Sequence, residues 1–143
     1  MQVDCPSHIG HNCESIESRN QTKHEFCSEY LFNITPENSY GEGYVTEKIF
    51  EAGLARNIPI YYGNIKEETS IINMERVLYV NMENEESIQN LKNKITYLLA
   101  NKDELQELYN LNPFTPNACE EIEKYEDKFN KLFEHCINRV VEK

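Results

Sequence analysis

Short apolar runs separated by glycine, proline and asparagine dominate the first half of the chain, and long stretches at helical spacing dominate after Asn64. Leu31-Phe32-Asn33-Ile34-Thr35 is an apolar run closed by Pro36, which predicts a buried strand ending at a turn. Asn38 to Gly43 carries turn chemistry, and from Tyr44 onward Val45, Ile49, Phe50, Gly53 and Leu54 fall at helical spacing. That helix should stop near Arg56-Asn57, with Asn57 as a left-handed cap, because Pro59 cannot continue it. Ile58-Pro59-Ile60-Tyr61-Tyr62 predicts a second strand, ending at Gly63-Asn64. A strand, loop, helix and strand in this order imply a right-handed crossover and parallel pairing.

Beyond Asn64, a short helix is expected over Lys66 to Asn73 and a third strand over Val77 to Val80. Ile88, Leu91, Ile95, Leu98 and Leu99 mark an amphipathic helix, and Asp103 to Leu111 a shorter one ended by Asn112-Pro113. In the tail from Asn117, Ile122, Tyr125, Phe129, Leu132, Phe133, Cys136 and Val140 recur every three to four residues, so the tail should lay one face back on the domain. Gln2 to Cys5 reads as an edge or first strand. The fold class is therefore α/β, a small Rossmann-like parallel sheet flanked by helices with a helical tail over about 117–143. At 143 residues the whole chain, 1–143, reads as a single domain.

Charge changes the functional picture more than size does. The net charge of −11 repels nucleic-acid backbones and anionic lipid, so any phosphate ligand must be caught by a local device. No apolar run reaches the roughly 18–20 residues of a membrane helix, and the N-terminus as written carries no signal peptide. Five cysteines, an odd number, cannot all pair internally and fit a reducing compartment better than an oxidising one. The expected location is cytoplasmic for the chain as written.

Candidate chemistry concentrates in Thr35-Pro36-Glu37-Asn38-Ser39-Tyr40-Gly41-Glu42-Gly43-Tyr44-Val45-Thr46-Glu47-Lys48-Ile49, where a strand feeds a helix. In open parallel sheets ligands bind beyond the carboxyl ends of the strands, where helix N-termini present their N–H groups. Gly41 and Gly43 allow close backbone approach, Thr46 is a candidate N-cap, Glu47 sits in the first turn, and Lys48 places a positive charge beside an anion. Gly41-x-Gly43-x-x-Thr46 lacks the third glycine of a dinucleotide fingerprint, and Tyr61-Tyr62 stand where its acidic residue would be. A P-loop is excluded because no Gly-Lys-Ser/Thr occurs. What remains is a nucleotide-diphosphate site with Lys48 for phosphate, Glu47 for the ribose hydroxyls, and Asn38 and Tyr44 for sugar or phosphate oxygens.

Glu37-Asn38-Ser39, then Tyr44-Val45-Thr46-Glu47-Lys48-Ile49, then Ile58-Pro59-Ile60-Tyr61-Tyr62-Gly63, resembles the signature of the α1,3/4-fucosyltransferases, glycosyltransferase family 10. Upstream, Glu29-Tyr30-Leu31-Phe32-Asn33 and Val3-Asp4 fit the same pattern, so the resemblance covers roughly residues 2 to 100. It implies the C-terminal, donor-binding half of a GT-B enzyme that holds GDP-fucose. By position, Lys48 would contact the diphosphate, Glu47 the ribose, and Asn38 and Tyr44 the phosphate–fucose portion. It further implies inverting transfer of fucose to a glycan hydroxyl, with no metal or other cofactor required for donor binding.

The resemblance also implies what is missing. The family's catalytic base and most acceptor contacts lie in an N-terminal domain, and a phosphate-binding arginine lies just before the matched region; Arg19 and Arg56 do not occupy that place. Pro36 stands where the family usually has an aromatic residue. The catalytic residue is accordingly unknown, and Glu37, expected to satisfy loop N–H groups, is the carboxylate to consider if the chain acts alone. A noncatalytic GDP-sugar-binding or interaction module is the alternative function, and the resemblance would place the chain in the Golgi lumen if it forms part of a longer eukaryotic type II membrane protein. Cys5, His8, His11 and Cys13 offer metal-ligand chemistry at spacing tighter than common zinc modules; a Cys5–Cys13 disulfide and free thiols are the other readings.

Overall fold

A computed structural model describes residues 3–6, 10–64 and 70–141, with side chains as far as 138. In chain order the elements are α1 (Lys23–Ser28), β1 (Phe32–Pro36), α2 (Glu47–Leu54), β2 (Ile58–Tyr62), β3 (Leu78–Tyr79), α3 (Glu85–Ala100), α4 (Lys102–Asn110) and α5 (Ala118–Val141). The three strands form one parallel sheet in the order β1-β2-β3. Phe32 pairs with Ile58 and Ile60 with Leu78.

The pleat of β2 divides the core. Ile58 and Ile60 face a cluster with Leu78, Val80, Ile95 and Leu98, beneath α3 and α4. Tyr61, on the opposite face, packs with Ile49 of α2 and Ile72. Alternate side chains of a strand point to opposite faces, so this short segment is apolar throughout because both faces are covered. β2 is buried from Ile58 to Tyr61, as a central strand between two helical layers requires.

Several elements differ from expectation. Residues 3–6 form no strand; the segment is instead a loop pinned by Asn12, whose side chain accepts from the Cys5 N–H and donates to the Val3 carbonyl. Gln2 lies outside the described residues, as do residues 66–69 of the helix expected over Lys66 to Asn73. A 3₁₀ turn over Met74–Arg76 leads into β3. α1 was not anticipated, although Thr22-Lys23-His24-Glu25 is a capping-box sequence, and both reciprocal bonds form.

The end of α2 holds a further correction. Arg56, not Asn57, adopts the left-handed conformation, with φ of 62°. The Arg56 N–H reaches the Gly53 carbonyl and the Asn57 N–H reaches the Ala52 carbonyl, the paired bonds of a Schellman motif. Asn57 is fully buried, and its side-chain amide donates to the carbonyls of Cys27 and Tyr30. Its value lies in those two bonds, which tie α1 and the entry to β1 onto the start of β2.

The tail also departs from expectation. α5 is helical as its periodicity requires, but its apolar face does not lie on the domain: Phe129 is 64% exposed and Leu132 62%.

Candidate functional site

β1 ends at Pro36, and the next residue, Glu37, keeps the ladder going through a backbone bond from its N–H to the Tyr62 carbonyl. The Glu37 side chain is buried beneath the loop. Its carboxylate accepts from the Thr46 N–H (2.9 Å), the Thr46 hydroxyl (2.7 Å) and the Tyr61 hydroxyl (3.3 Å). One carboxylate therefore fixes both ends of the loop that separates strand from helix.

Thr46 occupies the N-cap position with extended backbone, yet makes no side-chain cap bond. Its hydroxyl is turned to Glu37 instead, which leaves the first-turn N–H groups of α2 without a side-chain cap. A helix N-terminus in that condition is suited to an anion. Glu47 is exposed in this first turn, and Lys48 beside it is half-buried.

Lys48 turns back over the strand end. Its ammonium donates to the Pro36 carbonyl (2.8 Å) and to Oδ1 of Asn38 (2.7 Å). Two of its three N–H donors are thus directed at the loop, and the charge is held next to Asn38 at the sheet's carboxyl end. Tyr44 is 40% exposed, and Gly43 takes a φ of 71°, with open space where a Cβ would stand. The structure therefore brings Asn38, Gly43, Tyr44, Thr46, Glu47 and Lys48 to one loop and helix start, with Glu37 beneath as its anchor.

Gly63 supports the arrangement from behind. A Cβ there would lie 2.7 Å from Cζ of Tyr61 and 2.8 Å from Cγ of Glu37, both in the buried network. Gly63→Ala is expected to cost about 1–3 kcal/mol by overpacking, read as a lower urea midpoint at unchanged slope. An unchanged midpoint would mean the Glu37–Tyr61 layer is not tightly packed.

Sequence reading missed a tyrosine cluster beside this loop. The rings of Tyr40 and Tyr62 lie 5.6 Å apart, and the Tyr62 hydroxyl donates to Glu83. Burial, and then a bond with Tyr40, push the Tyr79 hydroxyl up to about 12, so it stays protonated throughout the physiological range. The signal was available in the paired tyrosines that end β2, but strand periodicity does not say which aromatic group continues past the sheet edge. A separate cleft of about 440 Å³ opens between β3 and the first turns of α3, lined in part by Leu78, Tyr79, Ser87 and Lys94, and none of the loop residues lines it.

The described part of the Cys/His-rich N-terminal segment gathers no metal-holding group. Among the described residues no group of three or more His, Cys, Asp or Glu side chains comes together, and His8 lies outside them. No disulfide joins Cys5 to Cys13, and both are half-buried.

The sequence model of glycosyltransferase family 10 (fucosyltransferase), C-terminal part, matches residues 1–138. The chain belongs to this family. A 44-residue stretch is 52% identical to the alpha-(1,3)-fucosyltransferase FucT of Helicobacter pylori, covering 31% of this chain and 9% of that protein. An α1,3-fucosyltransferase solved with GDP-fucose is 33% identical, with a TM-score of 0.53 over 75% of this chain and 29% of that one. A further α1,3-fucosyltransferase structure gives 30% identity and a TM-score of 0.60, covering 78% of this chain and 30% of the other. This family 10 chain thus spans less than a third of the length of its solved relatives. No helix among the described residues is long and apolar enough to cross a membrane.

Proposed function

We propose that the chain supplies the GDP-fucose-binding half of an inverting fucosyl transfer to a glycan hydroxyl, of α1,3 type. The observation that carries this reading is Lys48, held beside Asn38 at a helix start that lacks a side-chain cap, in a fold shared with a relative solved with GDP-fucose. Lys48 and the N–H groups of α2 would take the diphosphate, Glu47 the vicinal ribose hydroxyls, and Asn38 and Tyr44 the oxygens near the fucose.

In inverting transfer the acceptor hydroxyl attacks the anomeric carbon from the face opposite the departing GDP, and its proton passes to a carboxylate. Negative charge grows on the leaving diphosphate as the glycosidic bond breaks. A fixed ammonium and oriented N–H groups stabilise that charge more in the transition state than in the bound donor, which is what lowers a barrier. Donor binding through these groups needs no metal, so affinity for GDP should persist in EDTA.

A second reading, a noncatalytic GDP-sugar-binding or interaction module, draws support from Glu37. That buried carboxylate already accepts from Thr46 and Tyr61, which leaves it poorly placed to take an acceptor's proton. Calorimetry with GDP-fucose and GDP, alongside transfer to an N-acetyllactosamine-type acceptor, separates the two. Binding with turnover supports the transferase and binding without turnover the module, whereas failure to bind either nucleotide overturns both readings that place a sugar nucleotide here.

A further inference from the structure

A capping box closes a helix start with two reciprocal bonds. The N-cap side chain accepts from the third helical N–H, and a glutamate or glutamine at that third position accepts from the N-cap N–H. α1 has both, through Thr22 and Glu25. α2 lacks the means for the second bond, because Ile49 stands at its third position and is fully buried. Glu37 makes that bond from outside the helix: one carboxylate oxygen accepts from the Thr46 N–H at 2.9 Å. Its other oxygen accepts from the Thr46 hydroxyl at 2.7 Å, and the cap bond from Thr46 to the helix is not made.

We propose that Glu37 is a positioning residue for the donor's diphosphate, acting through Thr46: it draws the hydroxyl off the start of α2 and so reserves the N–H groups of Glu47, Lys48 and Ile49 for the ligand. This role rests on the reading of the α2 start as the diphosphate site. A helix start offers an anion only the N–H groups that its own cap leaves open. A β-branched side chain has few χ1 wells, so the Thr46 oxygen passes between Glu37 and the helix in one discrete step.

The two threonine caps of this chain show that direction, and not valence, decides the outcome. Thr22 donates its hydroxyl to Glu25 at 2.9 Å and still accepts from the Glu25 N–H at 3.2 Å, since that carboxylate rises from the helix itself. At α2 the carboxylate comes from the strand side, and the hydroxyl follows it away from the helix. Glu37 is held firmly enough to impose this. Its N–H bonds to the Tyr62 carbonyl at 2.8 Å, the Tyr61 hydroxyl donates to its carboxylate at 3.3 Å, and its Cγ leaves only 2.8 Å to the place of a Cβ on Gly63. At 5% exposure, little water reaches it to compete for the Thr46 hydroxyl.

Titration calorimetry with GDP on the full chain, in a double-substitution cycle, tests the role. Glu37→Met removes both acceptors at similar side-chain length and frees the hydroxyl to cap α2; GDP affinity should fall roughly five- to tenfold, the factor that a typical N-cap bond represents. Adding Thr46→Val removes the competing hydroxyl and should bring affinity to within about twofold of Thr46→Val alone, whereas a merely structural role for Glu37 would make the two losses add. Glu37→Gln keeps one acceptor for the fixed Thr46 N–H and serves where Glu37→Met does not fold; it should show a smaller loss with the same recovery. GDP affinity unchanged by the Glu37 substitutions, or a loss that Thr46→Val does not recover, would overturn the proposal and leave the diphosphate site standing. A wild-type chain that binds no GDP would instead overturn the reading on which it rests.

Discussion

Arg76→Ala should lower stability by about 3–5 kcal/mol, a large part of what a domain of this size possesses, and equilibrium urea unfolding would show it directly. Arg76 is 1% exposed, and its guanidinium has no carboxylate among its observed hydrogen-bond partners. Its partners are carbonyls. One terminal nitrogen donates to Leu108 (3.2 Å), Tyr109 and Leu111 (2.8 Å) at the end of α4, and the other to Arg56 (2.6 Å) just past the end of α2. Helix C-termini leave carbonyls without intrahelical partners and carry partial negative charge, so a buried cation there meets both needs at once. The left-handed turn at Arg56 is what presents its carbonyl to Arg76.

Burial still pulls the Arg76 guanidinium below its ordinary value, but arginine remains charged throughout the range in which the protein folds. Truncation leaves several partly buried carbonyls without this donor. Arg76→Lys should recover only part of the loss, because an ammonium cannot span two helix ends with a rigid fork. A midpoint within experimental error of wild type for Arg76→Ala would show that the carbonyls find other donors at little cost.

Arg76 also shows where sequence reading reaches its limit. In the sequence Met74-Glu75-Arg76-Val77 it looks like a surface residue before a strand, and nothing in local spacing announces that two distant helix ends converge on it. β2 was legible to the residue because its apolar run is bounded by Asn57 and Gly63 and both its faces are covered. The loop between β1 and α2 was legible as a connection from strand to helix as well, since glycines and an N-terminal helical turn have a meaning that depends on near neighbours. Its anchoring was legible only in part. Thr46 has the right residue type for a cap, but Glu37, nine residues earlier, competes successfully for its hydroxyl. For α5, periodicity gave the helix and its apolar face but carried no information about what that face touches.

Lys48→Ala should weaken GDP binding roughly 10- to 100-fold, the loss expected for one charge-assisted contact of about 1.5–3 kcal/mol. Titration calorimetry measures it. The substitution also removes the bonds to the Pro36 carbonyl and Asn38, so a melt of the unliganded protein is needed beside it. Those bonds belong to a half-exposed side chain and contribute on the order of 1 kcal/mol together, a shift of a few degrees. Asn38→Ala separates the effects, because it releases Lys48 from one anchor without removing its charge. It should reduce affinity less than Lys48→Ala does. Unchanged GDP affinity in Lys48→Ala, with wild-type protein that binds, would remove the diphosphate assignment.

The strand order β1-β2-β3 has a consequence for how the chain acquires its shape. Each strand pairs with the next one in sequence, so neither parallel pairing has to wait for a distant segment to arrive. Loop closure over these separations carries only a modest entropic cost, because that cost grows slowly with loop length. The loop from Glu37 to Thr46 is enclosed between the first two strands, so its geometry can be set as soon as β2 docks on β1. The carbonyls at the end of α4 that hold Arg76 come later in the chain. A polypeptide emerging from the ribosome could therefore form the loop proposed here to hold the nucleotide before the carbonyls that receive Arg76 are available.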